Sequence, residues 1–180
     1  FNFLGLVGFT DPLRPEAKDA VEDCRRAGIR VVIVTGDHRL TALNVAKEAG
    51  LEVAEDQIVG GTKLENMTEE ELQEIIYNVR IFARVEPRHK VRILHAFRAE
   101  GEVVAMTGDG VNDAPALKTA DIGVALGSGT DVAKETADLV LTDDNFKTIV
   151  AAVEQGRIVF ENIREVVLYL LSDSFQEILL

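Results

Sequence analysis

The 180-residue sequence contains a single cysteine, Cys24, and no tryptophan. One thiol excludes an internal disulfide, so nothing supports a bridged, secreted scaffold. Basic residues are outnumbered: 19 Lys and Arg against 31 Asp and Glu leave a formal net charge of −12. That balance argues against a nucleic-acid surface, because phosphate backbones attract basic patches. There is no internal repeat and no low-complexity linker to divide the chain. No run of 18 or more apolar residues occurs, so hydropathy alone finds no complete membrane span. The opening Phe-Asn-Phe-Leu-Gly-Leu-Val-Gly-Phe is apolar, yet no basic region precedes it and no fitting cleavage site follows, which argues against a signal peptide. A start at Phe1 instead of Met leads us to expect a piece of a longer protein.

What is present is enough for one domain with a real core, since 47% of the residues are hydrophobic. The stretch 103–117, VVAMTGDGVNDAPAL, organises the rest. It begins as an apolar run that suits a buried strand and then breaks into Thr107-Gly108-Asp109-Gly110, a turn that presents an acid. Asn112 and Asp113 follow. Asp113 is expected to cap a short helix through Leu117, with Pro115 tolerated in its first turn. In an open α/β sheet, ligands bind at the carboxyl ends of the strands. Two carboxylates four residues apart across a glycine-rich turn can share one hard cation such as Mg²⁺. The same residues also suit an ordinary solvated turn.

In chain order, residues 3–9 read as a buried strand ended by Asp11-Pro12. Pro15 and Gly28 frame a helix over 16–27. Residues 29–34 form a continuous β-branched run, the clearest strand, and it ends in Thr35-Gly36-Asp37. A helix over 40–49 stops at Gly50. The stretch 52–66 is looser, with Ile58-Val59 as a short strand. Thr68-Glu69-Glu70-Glu71 is a capping box that opens a helix to about residue 78. A strand over 80–83, a helix from Pro87 to Ala99, the 103–117 unit, a strand over 122–126, a helix over 131–137 and a strand over 139–141 follow. From Asn145 the pattern is helical to the end, with Gly156 as a weak point. Alternating strands and helices predict a parallel sheet covered on both faces. The one boundary falls near Asp144, giving an α/β domain over 1–144 and a long helix over 145–180.

Three features should meet at one end of that sheet. Thr35-Gly36-Asp37 offers a hydroxyl and amides for a phosphate. Lys90, in Glu86-Pro87-Arg88-His89-Lys90, brings a positive charge in the first turn of a helix. Asp109 and Asp113 offer oxygens to a metal. Together they supply the donors, cation and metal that phosphoryl transfer needs. Each also has a plainer reading: a strand-end turn, or one more solvated lysine in a basic run with Arg84, Arg88 and Arg92. The scattered His38, His89 and His95 do not read as metal ligands.

The segment Thr107-Gly108-Asp109-Gly110-Val111-Asn112-Asp113-Ala114-Pro115 resembles the hinge signature of the P-type cation-transporting ATPases. Asp11-Pro12-Leu13-Arg14, Thr35-Gly36-Asp37, Lys90 and Asp143-Asp144-Asn145-Phe146 fall in that family's order. The resemblance covers essentially the whole chain. It implies the later part of a phosphorylation domain of haloacid dehalogenase-like, Rossmann-type α/β fold, running into the start of the fifth transmembrane helix. It implies that Asp109 coordinates Mg²⁺ and that Asp113 helps hold the phosphorylation site and orders the metal's shell. Lys90, Thr35 and Gly36 would bind the transferred phosphate, and Asp37 and Arg14 would lie near the ATP nucleotide and the hinge to its domain. Residues 1 to about 160 would be cytoplasmic. Ser174 and Glu177, three apart on one helix face, match cation-site positions of the calcium pumps, although those pumps typically carry Asn where Ser174 stands. The 127–134 and 141–146 segments look most like the calcium-pump branch, with the sodium/potassium branch as runner-up.

One departure stands out. The family's nucleophile sits in Asp-Lys-Thr-Gly-Thr, and no Asp-Lys pair occurs here. The sequence therefore reads as the metal and phosphate half of a site, with the nucleotide-binding, actuator and membrane parts of the same ATPase as its partners. A soluble haloacid dehalogenase-like phosphatase and a non-catalytic module that senses Mg²⁺ or phosphate are the alternatives.

Overall fold

Hydrophobic periodicity and glycine punctuation set most of the elements. The computed structural model describes the backbone of residues 4–5 and 12–179, and side chains as far as Ser172. The strand expected over 3–9 lies outside the described residues. Helix α1 (Ala17–Arg26) ends in a left-handed Gly28 with φ of 72°. The amide of Ile29 there donates back to the Cys24 carbonyl at 2.8 Å, a turn only glycine enters without strain. Strand β1 (Ile33–Val34), helix α2 (Arg39–Glu48), a 3₁₀ turn (Glu55–Gln57), β2 (Ile58–Gly60), α3 (Gly61–Asn66), α4 (Glu69–Ile76) and β3 (Ile81–Ala83) follow. Next come α5 (Pro87–Ala99), β4 (Ala105–Gly108), a 3₁₀ turn (Val111–Asp113), α6 (Ala114–Thr119), β5 (Ile122–Leu126), α7 (Asp131–Thr136), β6 (Leu139–Leu141) and α8 (Phe146–Leu179).

Among the described residues all pairings are parallel. β3 lies between β1 and β2, with Ile33 and Ile58 both in register with Ile81. β5 lies between β4 and β6, with Ala105 opposite Ile122 and Val124 opposite Leu139. The two-residue period of a strand separates the faces of the first sheet. Val59 and Phe82 join Leu64, Leu72, Ile76, Ile93 and Phe97 from α3, α4 and α5. Ile58, Ile81 and Ala83 meet Ala42 and Ala46 of α2 on the other side. One face of the second sheet places Ala125 against Leu117 of α6 and Ala133 of α7. Its opposite face, with Ala105, Val124 and Leu141, fronts an apolar groove of about 470 Å³ beneath α8.

Three local expectations are corrected. The strand over 29–34 shrinks to Ile33 and Val34, which pair with Ile81 and Phe82, while the Arg30 side chain caps the end of α4. Its guanidinium donates to the carbonyls of Ile76 and Val79 and lies about 6 Å from the Tyr77 and Phe97 rings. The loose stretch 52–66 holds α3, which begins at a glycine of necessity: a Cβ on Gly61 would stand 2.0 Å from the Arg84 carbonyl oxygen. Gly156 is no weak point, since α8 runs through it unbroken for 34 residues.

The start of α8 is docked onto α1. Lys147 pairs with Asp19 at 2.8 Å, and Arg157 donates to the carbonyl of Ala27 at 3.0 Å. Farther along, Ile163, Val166, Leu168 and Leu170 are exposed. Among the described residues no helix is long and apolar enough to cross a membrane.

Candidate active site

The site is built at the carboxyl ends of the parallel strands. β4 ends at Gly108, and the chain then turns through Asp109 and Gly110 into the 3₁₀ turn. Asp113 does not cap α6 with its side chain as expected from the sequence. Its carboxylate folds back over the loop instead. One oxygen accepts from the amides of Asp109 (3.3 Å) and Gly110 (3.1 Å), and the other meets Lys90 Nζ at 2.5 Å. This closed ring demands glycine at 108: a Cβ there would lie 2.5 Å from the Asp113 Cβ.

Asp113 is buried, and the Lys90 and Asp113 side chains retain 15% and 11% of their accessible surface. A charge pair so screened from water is held by geometry and by its additional hydrogen bonds. Lys90 reaches it because Pro87 starts α5 and places the lysine in the first turn. Asp109 contrasts with Asp113. It is exposed, and among the described residues no side chain is paired with its carboxylate. Its backbone carbonyl accepts from Thr130 at 2.8 Å, which fixes the loop from the far side.

Among the described residues no group of three or more His, Cys, Asp or Glu side chains could hold a metal by themselves. Mg²⁺ is commonly bound by one or two carboxylates together with waters and phosphate oxygens. The free Asp109 carboxylate fits such a role. Asp113, with three donors on its carboxylate, fits the role of holding the loop and Lys90.

Thr35, Gly36 and Asp37 leave the end of β1. The Asp37 amide donates to Thr35 Oγ1 at 3.0 Å, which rigidifies the turn. Two backbone bonds tie it to the β3–α5 connection: Val85 N–H to the Thr35 carbonyl and Arg84 N–H to the Asp37 carbonyl. Arg84 takes a left-handed φ of 56° to make that connection, a conformation a non-glycine residue adopts at a cost. Gly36 is exposed and its nearest neighbour for an added Cβ is 3.8 Å away, so the turn is an open cradle. The structure thus joins Lys90, Asp109 and Asp113 directly. Thr35-Gly36-Asp37 is linked to them only through the backbone at the foot of α5.

Arg14 is elsewhere. It donates to the backbone carbonyl of Asp144 at 3.2 Å and lies 3.7 Å from that residue's carboxylate, at the head of α8. Ser174 and Glu177 fall on α8, and their side chains lie outside the described ones. His89, beside Lys90, is buried. Its Nδ1 accepts from the Glu86 amide at 3.1 Å, so the other nitrogen carries the proton it shares with Glu65 at 2.5 Å. That bond holds the Glu65 carboxyl below the usual range. Sequence reasoning missed this pair, whose members are 24 residues apart. The only local signal was a histidine on the apolar side of α5.

A family model described as haloacid dehalogenase-like hydrolase matches residues 2–121, and a second of the same description matches residues 91–153. The chain belongs to the haloacid dehalogenase-like hydrolase family. Within it, the chain is 56% identical over 180 residues to a calcium-transporting ATPase of Bacillus cereus, with 98% of this chain and 20% of that protein covered. It is 49% identical over 189 residues to a P-type sodium-transporting ATPase of Toxoplasma gondii, with 98% and 14% covered. Among solved structures, a zinc-transporting PIB-type ATPase in its E2.Pi state superposes with a TM-score of 0.67 at 35% identity, covering 86% of this chain and 21% of the other. The chain therefore spans one fifth or less of the curated relatives it matches here.

Proposed function

We propose that this chain is part of an ATP-driven cation pump that works through an aspartyl-phosphate intermediate, and that it supplies the Mg²⁺- and phosphate-binding half of the catalytic site. The observation that carries the reading is the division of labour between two carboxylates. Asp113 is consumed in holding Lys90 and the loop, while Asp109 stays free at the strand end. Asp109 would bind Mg²⁺, which supplies charge neutralisation at the phosphoryl oxygens when bound. Lys90 would neutralise the transferred phosphate from its fixed position, and Thr35 and Gly36 would hold it with hydroxyl and amide. Asp37 would face the ATP nucleotide, with Arg14 at the hinge.

Two features support a further strand carrying the nucleophile. Among the described residues, β1 and β4 each pair on one side only. The Val104 carbonyl accepts from Asp121 and Ile122, so the backbone groups of Ala105 and Thr107 point away from β5. A boundary at 144 separates this phosphorylation domain from a stalk helix. The exposed apolar residues of α8 suit neighbouring helices or lipid, and the catalytic part would be cytoplasmic. The names of the relatives favour Ca²⁺ as the transported ion and keep Na⁺ as the runner-up. Ser174 and Glu177 are the cation ligands this chain would contribute.

Asp109→Asn in the complete protein tests the core of the reading. Removing one charged oxygen from a hard cation should cut Mg²⁺-dependent phosphoenzyme formation from ATP by about a hundredfold or more. An unchanged Mg²⁺ dependence overturns it.

A further inference from the structure

The loop 127–130, between β5 and α7, touches two places that the catalytic reading leaves unconnected. On one side it holds the back of the Asp109 loop: Thr130 N–H donates to the Asp109 carbonyl at 2.8 Å. Gly129 lies so close that a Cβ would stand 3.0 Å from the Asp109 carbonyl oxygen and 3.1 Å from its Cα. On the other side it holds the head of α8. Ser128 N–H donates to the Asp144 carboxylate at 3.1 Å. Gly127 packs against the Leu141 and Thr142 backbone, where a Cβ would come within 2.9 Å of the Leu141 oxygen.

Asp144 is not a relaxed partner. It takes a left-handed φ of 53° in the turn between β6 and α8, and the Ser128 bond draws its carboxyl below the ordinary range. The next residues anchor the helix itself. Asp143 accepts from the Thr148 hydroxyl at 2.7 Å and from Asn145 N–H, and the Asn145 side chain accepts from Lys147 N–H. A shift at the Asp109 backbone thus has a short route, two hydrogen bonds joined by the 128–130 backbone, to the head of α8. Both contact points carry a glycine packed so closely on the neighbouring backbone that no side chain fits.

We infer that the 127–130 loop is a coupling strut, and that Ser128, Gly129 and Asp144 are positioning residues that transmit the state of the Asp109 site to α8. This rests on the reading of Asp109 as the Mg²⁺ ligand. The Asp144 carboxylate also lies 3.7 Å from the Arg14 guanidinium at the head of α8. Its role is to receive the Ser128 amide with a carboxylate, a charge-assisted bond of the stronger kind.

The test is hydrogen–deuterium exchange on the complete protein, with Mg²⁺ and inorganic phosphate as the probes. In the unsubstituted protein, the probes should slow exchange at residues 107–113, and also at 150–153 in the second turn of α8, by about tenfold, the weight of one charge-assisted hydrogen bond. Asp144→Gly frees the left-handed backbone but removes the acceptor. It should keep the response at 107–113 and lose it at 150–153. Asp144→Asn tolerates the same backbone and restores an oxygen acceptor, so it should regain the α8 response. A merely structural turn residue would behave the opposite way, with glycine serving as well as asparagine. A full α8 response in Asp144→Gly, or none in the unsubstituted protein despite protection at 107–113, overturns the strut. Absence of protection at 107–113 overturns the metal-site reading, and the strut with it.

Discussion

Gly108→Ala is the sharpest probe of how the site is held. The added Cβ would lie 2.5 Å from the Asp113 Cβ, 2.9 Å from its Cγ and 3.1 Å from its Oδ2. Carbon atoms pack at about 3.5–4.0 Å, so Asp113 must retreat by about 1 Å. A retreat of that size stretches the 2.5 Å contact to Lys90 and the 3.1 Å bond from Gly110 beyond useful range. Overpacking costs about 1–3 kcal/mol, and each hydrogen bond to a charged group contributes about 1.5–3 kcal/mol. The displacement that breaks the bonds also relieves the clash, so these costs do not simply add. Alanine moreover restricts the unfolded chain, which returns about 0.4–1 kcal/mol. The net expectation is a loss of about 3 kcal/mol, or roughly 6–12 °C in Tm for a chain of this size.

The control is two residues away. A Cβ on Gly110 would sit 3.5 Å from the Asp113 Oδ2, an ordinary contact, and Gly110 has a φ of −106° that alanine tolerates. Gly110→Ala should stay within about 0.5 kcal/mol of the parent, as unencumbered substitutions do. Thermal unfolding of the three proteins, followed by circular dichroism, makes the comparison. If Gly108→Ala and Gly110→Ala melt together, the carboxylate of Asp113 is not folded over Gly108, and the account of the site fails at its base.

The remaining expectations concern α8. Gly156→Ala should stabilise the helix by about 0.8–1 kcal/mol, because a Cβ there meets nothing within 4 Å and glycine is costly in a helix interior; a lowered Tm would mean the helix is kinked at that point. The Thr148 hydroxyl and the Asn145 amide hold the Asp143 carboxyl below its ordinary value. Its contribution to anchoring α8 should be complete above about pH 4 and be lost as the pH falls through the lower folded value. Asp143→Asn should flatten that acid limb in exchange or melting profiles measured from pH 6 down to the acid transition. In the complete protein, Glu177→Gln should weaken ion-activated phosphorylation from ATP by about tenfold or more in its midpoint while phosphorylation from inorganic phosphate persists; an unchanged midpoint removes Glu177 from the cation ligands.

Local chemistry made much of the fold legible. Pro87 and Gly101 bracket α5, and the helix runs from Pro87 to Ala99 as the pattern predicts. The Thr68 box forms reciprocally, with Glu71 accepting from the Thr68 amide at 2.8 Å and donating its own amide to Thr68 Oγ1 at 3.2 Å. Illegible features depend on partners far along the chain. Nothing near residue 30 says that Arg30 will abandon its strand for the carbonyls of Ile76 and Val79. Helix α3 has six residues and no side-chain cap, so it leaves no periodic trace. Its glycine start is dictated by the Arg84 carbonyl 23 positions later. Asp113 shows the limit inside the site. Its place before Ala114-Pro115 is a proper N-cap by local rules, yet Lys90, 23 residues upstream, offers a full charge where the helix offers partial ones. The stronger partner prevails.

That competition bears on which carboxylate meets the metal. A carboxylate has about four lone-pair sites, and Asp113 directs its two oxygens at one ammonium and two amides. A divalent ion drawing on the oxygen that Lys90 holds would compete with its ammonium, on a side chain that keeps only 15% of its surface exposed. Breaking such a pair is strongly unfavourable, on the order of 3–5 kcal/mol when buried. Direct coordination by Asp113 would therefore work against the contact that fixes Lys90. Asp109 faces no such conflict, because its backbone is clamped by Asp113 and Thr130 while its carboxylate remains uncommitted. On these energetics the two acids are not interchangeable ligands. One fixes the lysine and the loop, and the other presents an exposed carboxylate at the strand end.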